Sequence, residues 1–460
     1  MMFKTDTRAR RRFAAVFFSL IVLFAALLPS AAALEDPAPQ AAAAFLADPK
    51  SGFVLYEKNA DERRYPASTT KIMTALVVLS NVSDLNQKVT VTEEDFEGVS
   101  WDSSKAGFVV GEEVPVIDLL YGLLLPSGNE SANTLARFVG GSIPAFVDMM
   151  NAKADELGCT GTHFVNPNGL HDDHHYTTAR DLFLIAAAAM QNETFALISD
   201  TAQKTLSETN MVAEHPGGQP LKVLTTNMLI FRKSDPLYYA YAKGIKTGHT
   251  SQAGYCLVAA AEKKGSTLIS VMLGCEKPQG ASQPLTFAET RRLFDWGFEN
   301  FTGMTLVEQG ETVTQIPIRL STDTDQLVLT TKSTLTGTVP IDIDTEQIER
   351  TLHLPDDLVA PVKAGDVIGL MDVSYNGVNY GSVELVALAD VSLSEVLFYA
   401  DKIEHFFQGS LFKLLVLAIV VILLLYFLII VYRGHRRRKK REQMMRSRYA
   451  RYRDYDRDDR

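Results

Sequence analysis

Three cysteines, at 159, 256 and 275, are all that 460 residues contain, and no two of them form a Cys-x-x-Cys pair. An odd set of three excludes a disulfide scaffold, and the missing pair excludes the usual zinc knuckle. Free buried thiols are the expectation. Cys256 and Cys275 fall on neighbouring strands of a hairpin read over 254–275, but its simple register puts Cys256 near Met272. No His-Glu-x-x-His helix, internal repeat, long low-complexity linker or evident Ser-His-Asp arrangement occurs. These gaps count against a zincin, a solenoid and a conventional serine-protease triad.

Charge is also missing from places where a nucleic-acid binder would have it. The net charge is −10, yet the tail from Arg433 carries +8 and the first 33 residues +4, leaving −22 for residues 34–432. So acidic a body argues against nucleic acid as a partner. The basic ends read as topology signals. Residues 1–33 carry Lys4, Arg8 and Arg10 to Arg12, then an apolar run from Phe13 to Leu28, then Ala31-Ala-Ala33, which is the pattern of a cleaved signal peptide. An uncleaved anchor is the alternative. Leu411 to Tyr432 is long and apolar enough to cross a bilayer, and the cationic stretch Arg433–Arg441 behind it predicts a cytoplasmic C-terminus. The expectation is a plasma-membrane protein of one pass, with its body outside the cytoplasm.

The body is too long for one ordinary core. Helix patterns over Ile72–Leu79, Ile117–Leu125 and Asp181–Met190 alternate with strand patterns over Phe53–Tyr56 and 254–275. From 303 onward short β-rich runs take over, at Gln315–Leu320, Gln326–Thr330 and Ser382–Val386. The division expected is a catalytic domain over 34–302, a β-sandwich-like domain over 303–392, an amphipathic stalk helix over 393–410, the membrane helix 411–432 and the tail 433–460. The fold class is accordingly multidomain: a mixed α/β catalytic domain, a small all-β domain and one transmembrane helix.

Three motifs carry chemistry, in this order: Ser68-Thr-Thr-Lys71, Ser127-Gly-Asn129 and Lys246-Thr-Gly248. Each is common. Ser410-Leu-Phe-Lys413, Ser131-Ala-Asn133 and Ser374-Tyr-Asn376 repeat two of the patterns, but the first enters the membrane run, the second reads as an ordinary helix face and the third as a hairpin turn. Around Ser68, Pro66 and the apolar residues from Ile72 predict a helix start, which places the Lys71 amine beside the Ser68 hydroxyl. With no histidine partner evident, Lys71 is the available base, provided its pKa is depressed. Burial, a helix N-terminus and the second cation Lys246 all act that way. Ser127 is expected to pass protons, Asn129 to bind a substrate amide, and Lys246 and Thr247, on an edge strand, to bind a terminal carboxylate. Gly248 leaves room for that approach.

The ordered set resembles that of penicillin-binding serine enzymes. Further segments extend the likeness: Leu123–Ala132, Phe164–Leu170, His175–Asp181, Thr226-Asn227 and Gly244–Tyr255. The chain resembles the low-molecular-mass penicillin-binding proteins, the serine-type D-alanyl-D-alanine carboxypeptidases of peptidase family S11. The resemblance implies a β-lactamase/transpeptidase-like catalytic fold and no cofactor. It implies removal of the terminal D-alanine from peptidoglycan stem peptides through an acyl-enzyme on Ser68, with the backbone amides of Ser68 and His249 as oxyanion hole and β-lactams as inhibitors. Many relatives lie on the bilayer through an amphipathic helix, whereas this chain reads as crossing it.

Three rivals remain. A class A β-lactamase would share the nucleophile but needs a Glu-x-x-Leu-Asn element, which is absent between the second and third motifs. A metallopeptidase could be built on His171, His174 and His175, although a solvated loop explains them more simply. A non-catalytic wall-binding protein would leave the reactive residues without a task.

Overall fold

The computed structural model describes residues 36–455 except 233 and 234. The signal-peptide expectation for 1–33 lies outside the described residues. Two compact units divide the chain. One comprises the residues up to Thr305 with 336–348 and 375–380, and the other comprises 306–335, 349–374 and everything from Gly381 onward.

The first unit is built on a five-stranded antiparallel sheet. Its strands are β1 (Ala43–Ala47), β2 (Val54–Lys58), β3 (Ala242–Thr250), β4 (Gly254–Lys263) and β5 (Ser266–Cys275), in the order β2-β1-β5-β4-β3. β4 and β5 read as nearly unbroken apolar runs because both sheet faces are covered. Phe45, Val258, Ile269 and Val271 point into one core, and Leu46, Leu257, Leu268 and Met272 into the other. Helix Ala179–Met190 packs on one face and helix Thr286–Asn300 on the other.

The helix patterns return as α1 (Lys71–Asn81), α2 (Val116–Leu124) and α4 (Ala179–Met190), within two residues at each end. Between the second and third lies α3 (Asn129–Gly140), the helix that follows Ser127. α1 is buried without a break from Lys71 to Val78, so it has no polar face and is the central helix of the larger core. The hairpin over 254–275 forms as expected. Tyr255 pairs with Cys275 and Leu257 with Met272, and in the bulge between them Cys256 stands opposite two residues of β5, Leu273 and Gly274. All three cysteines are buried and free, with burial pushing the Cys256 thiol up to about 11.

In the first unit, the segments 336–348 and 375–380 are held by the Thr338 hydroxyl donating to Asp48 Oδ2 at 2.7 Å and by Tyr380 stacking on Phe53. The sequence reading places both segments in the 303–392 domain. A second five-stranded sheet is made from Thr312–Pro317, Gln326–Thr331, Val378–Ala387, Val367–Tyr375 and Glu349–His353 in that order, and all of it but residues 375 and 378–380 falls in the second unit. The Asn376-Gly377 turn joins two of these strands with both residues at positive φ, 49° and 77°, as a tight hairpin requires. The helix Glu395–Gln408 leaves Val396, Ile403, Phe406 and Phe407 exposed.

The last helix, Ser410–Tyr455, continues straight through the boundary read at Tyr432. It is the one helix among the described residues long and apolar enough by itself to cross a membrane, and its apolar side chains from Leu414 to Tyr432 are exposed. The apolar stretch from Leu411 to Tyr432 spans about 33 Å at the helical rise, matching a bilayer's hydrocarbon core.

Candidate active site

The three motifs meet at one cleft of about 380 Å³, lined by Ser68, Ser127, Asn129, Thr247, Gly248 and His249 among others. Each arrives on a different element. Ser68 sits on a single tight 3-10 turn, Ala67–Thr70, which runs into α1, so the predicted helix start is tighter than an α-helix. Residues three apart eclipse in a 3-10 turn, and the Lys71 Nζ lies 3.1 Å from the Ser68 Oγ. Ser127 sits just ahead of α3 at φ 68°, a left-handed conformation that turns a non-glycine residue out of the regular path at a cost in backbone strain. Lys246 to Gly248 lie on β3, the edge strand, as predicted.

Lys71 is fully buried. Besides Ser68 it donates to Asn129 Oδ1 at 2.7 Å and to the Asn168 carbonyl at 2.6 Å. Burial first, and then the Lys246 charge, push its pKa well below the ordinary lysine range, while Glu130 opposes the shift. Lys246 is likewise buried, donates to its neighbour Thr247's carbonyl at 3.0 Å, and is pushed down to about 7 by burial. Such an arrangement holds, in contact with a half-exposed hydroxyl, an amine that gives up its proton far more readily than an ordinary lysine. That is the requirement for a serine nucleophile without histidine.

Thr247, Gly248 and His249 line the cleft, whereas Lys246 stands behind its wall. Thr226 Oγ1 lies 2.5 Å from Thr247 Oγ1, so two hydroxyls mark the place where a carboxylate was expected. The Ser127 hydroxyl lines the cleft and has no partner within the protein. At Gly248 an added Cβ would come within 3.1 Å of Ser68 N and 3.0 Å of Pro66 O. The edge strand therefore passes against the Ser68 turn, bringing its backbone amides and that of Ser68 to the same space. His249 stacks on Tyr255 with ring centroids 4.1 Å apart.

Several supporting residues escaped the sequence reading. Asn168, in the noted Phe164–Leu170 segment, provides the carbonyl under Lys71. It is held in turn by its side chain donating to Asn133 Oδ1 at 3.0 Å. Asn133, read as part of an ordinary helix face, is buried and also donates to the Asp95 carbonyl. Gly169 follows at φ 81°, where a Cβ would collide with the Ala67 carbonyl at 2.0 Å. Asn-Gly was the available signal, but nothing local reveals its distant partner. Glu130, buried beside Asn129, accepts from the backbone amides of Ala106 and Gly107 at 2.6 and 2.9 Å and fixes the loop ahead of them.

The histidine cluster needs one correction: His175 is buried, not solvated. Its Nδ1 accepts from the Val165 amide at 3.1 Å, so the proton sits on Nε2, which donates to Thr70 Oγ1 at 2.8 Å. The Thr70 hydroxyl donates onward to the Ala67 carbonyl at 2.8 Å. Both nitrogens are engaged in bracing the Ser68 turn, which leaves none for a metal.

Comparison with known proteins assigns the family. The sequence profile of the D-alanyl-D-alanine carboxypeptidases matches residues 30–277, and that of the penicillin-binding protein 5 C-terminal domain matches residues 301–392. The chain belongs to the D-alanyl-D-alanine carboxypeptidase family. The D-alanyl-D-alanine carboxypeptidase DacF of Bacillus subtilis is 29% identical over 77% of this chain and 88% of its own. DacA of Haemophilus influenzae, with the same description, is 32% identical over 75% and 84% respectively. Among solved structures, penicillin binding protein 5 from Haemophilus influenzae superposes with a TM-score of 0.62 at 30% identity, covering 78% of this chain and 99% of that one. This family member thus has the α/β catalytic fold and the all-β C-terminal domain that the motifs implied.

Proposed function

We propose that this chain is a serine-type D-alanyl-D-alanine carboxypeptidase that removes the terminal D-alanine of peptidoglycan stem peptides through an acyl-enzyme on Ser68. Family membership supports the reaction, and the 3.1 Å approach of a buried, low-pKa Lys71 to the Ser68 hydroxyl is the observation that carries the residue assignment. In the neutral lysine, the direction of that hydrogen bond reverses. The Ser68 O–H proton moves to Nζ as Oγ attacks the carbonyl of the penultimate D-alanine. The resulting oxyanion faces the Ser68 and His249 amides, worth roughly 3–4 kcal/mol per donor in such sites.

Collapse of the intermediate breaks the C–N bond, and the departing amine takes its proton from Lys71 by way of Ser127. Asn129 holds the substrate amide as well as Lys71, and Thr247, with Lys246 behind it, receives the terminal carboxylate. Water, deprotonated by the same lysine, then cleaves the ester. A β-lactam presents the same carbonyl and carboxylate and forms the same bond to Ser68.

The apolar helix is the proposed membrane anchor, with the basic tail in the cytoplasm and residues 34–302 and 303–392 outside as catalytic and β domains. A labelled penicillin should attach covalently to the protein, and Ser68→Ala should abolish that labelling. Undiminished labelling of the variant would reject Ser68 as the nucleophile.

A further inference from the structure

Lys71 and Lys246 donate only to uncharged acceptors: the Ser68 hydroxyl, the Asn129 side chain and two backbone carbonyls. One carboxylate is built in beside them. Glu130 follows Asn129 at the start of α3, with its side chain fully buried. Its Oε1 accepts from the Ala106 and Gly107 amides, but its Oε2, equally buried, has no hydrogen-bond partner. Among the described residues no cation is ion-paired with it. A buried carboxylate with a bare oxygen is costly unless positive charge nearby compensates it. Lys71 is that charge: its Nζ touches the side chain of Asn129, the residue next to Glu130. Burial first, and then Lys246, drive the proton off Lys71, and Glu130 acts the other way. The other titratable groups packed around the pair are engaged elsewhere. His175 is held neutral by burial, Asp95 is bonded to Arg137, and Asp118 on α2 accepts the Ser207 amide at 2.9 Å. Asp102 and Lys105, on the loop ahead of Ala106, are exposed.

Acyl transfer asks two opposed things of Lys71. It must be neutral to take the Ser68 proton, and then charged to hand that proton, by way of Ser127, to the departing amine. Two buried amines without a counter-charge would favour only the first. Resting on the reading of the site given above, we propose that Glu130 is the counter-charge of Lys71, a positioning residue that keeps on the amine the proton the leaving group must receive. The two loop amides fix where the carboxylate stands. Its bare oxygen leaves the charge free to act on Lys71 through a region that excludes water, where salt screens little.

Glu130→Gln keeps an oxygen for the two amides and removes the charge. The rate of covalent attachment of a labelled penicillin, followed against pH and normalised to the fraction of each preparation that labels, reads the effect. The midpoint of the acid limb should fall by roughly one pH unit in the variant, the usual order for one neighbouring opposite charge. The plateau should fall too, because the leaving nitrogen finds less of its donor. Glu130→Asp retains the charge on a shorter stem and should return the midpoint to its native pH, whatever its plateau. A lower plateau with an unmoved midpoint in Glu130→Gln would overturn the role and leave Glu130 a fastening for the loop. So would a midpoint displaced equally in both variants. Should Glu130→Gln fail to fold, the Glu130→Asp midpoint decides: its native position supports the counter-charge, and a displaced one overturns it. A native rate that does not vary with pH would instead overturn Lys71 as the base, and this role with it.

Discussion

The two antiparallel sheets of this protein both carry surface ion pairs, such as Arg180 with Glu57 beside the first, but the two units differ in the charge they bury. In the first unit, Lys71 and Lys246 are buried without a carboxylate bound to either amine. In the second, charge lies at the surface in pairs, such as Lys332 with Glu384, Arg350 with Glu311, and Arg319 with Asp357 and Asp401. Burial without a counter-ion makes an amine cheap to deprotonate, which is useful for chemistry and costly for stability. Pairing at the surface does neither to any great extent. The contrast points to the first unit as the reactive one, independently of any motif.

The sharpest way to break this comparison is to remove the buried base. Lys71→Ala should slow penicillin acylation by roughly 10²- to 10⁴-fold, the usual contribution of a general base. In the native enzyme the acylation rate should rise with pH as Lys71 loses its proton, reaching its plateau well below the ordinary lysine range. Equal acylation rates in native and variant protein, measured by quenched flow with a labelled penicillin, would remove the distinction drawn between the two units.

A smaller effect follows from His175, which burial holds neutral down to about pH 3 against an ordinary value of 6.5. Its folded-state pKa lies below the unfolded one, so the unfolded chain takes up a proton first as pH falls. Stability is therefore intact above pH 6.5 and lost progressively toward pH 3, by up to about 5 kcal/mol. Thermal melts of the protein across that window should show a steeper acid decline for the native chain than for His175→Gln. Parallel curves would mean that the Ser68 turn is not braced by a neutral imidazole.

The smallest effect is expected at the surface. Lys332→Gln breaks an exposed pair and should change the unfolding free energy of the second unit by less than about 1 kcal/mol, with acylation unchanged. A larger loss, read from denaturant melts, would show that surface pairs in this unit carry more than the comparison allows.

Much of this was legible in the chain before any coordinates. Motif order, completed by Lys246, separated Ser68 and Ser127 from their copies because three independent short patterns rarely fall in sequence by chance. The strands around 254–275 and the apolar segment from Leu411 to Tyr432 were equally plain, since local pattern and length report whether an element needs apolar surroundings. What local pattern cannot report is a long-range partner. Asn168 reaches Lys71 across 97 positions and His175 reaches Thr70 across 105, so their roles appear only once the loops are placed. The same holds for Asn133 and Glu130, whose polar side chains suggest an exposed helix face until tertiary packing buries them.

By itself, then, the amino-acid order determined the reaction type, the nucleophile to expect and the two-part body with its apolar tether, because these depend on residue identity and short periodicities. Tertiary structure alone decided how basic Lys71 is. Its pKa depends on how much water is excluded and how near Lys246 comes, and both are set by the packing of a helix at 71–81 against a strand at 242–250, far apart in the chain.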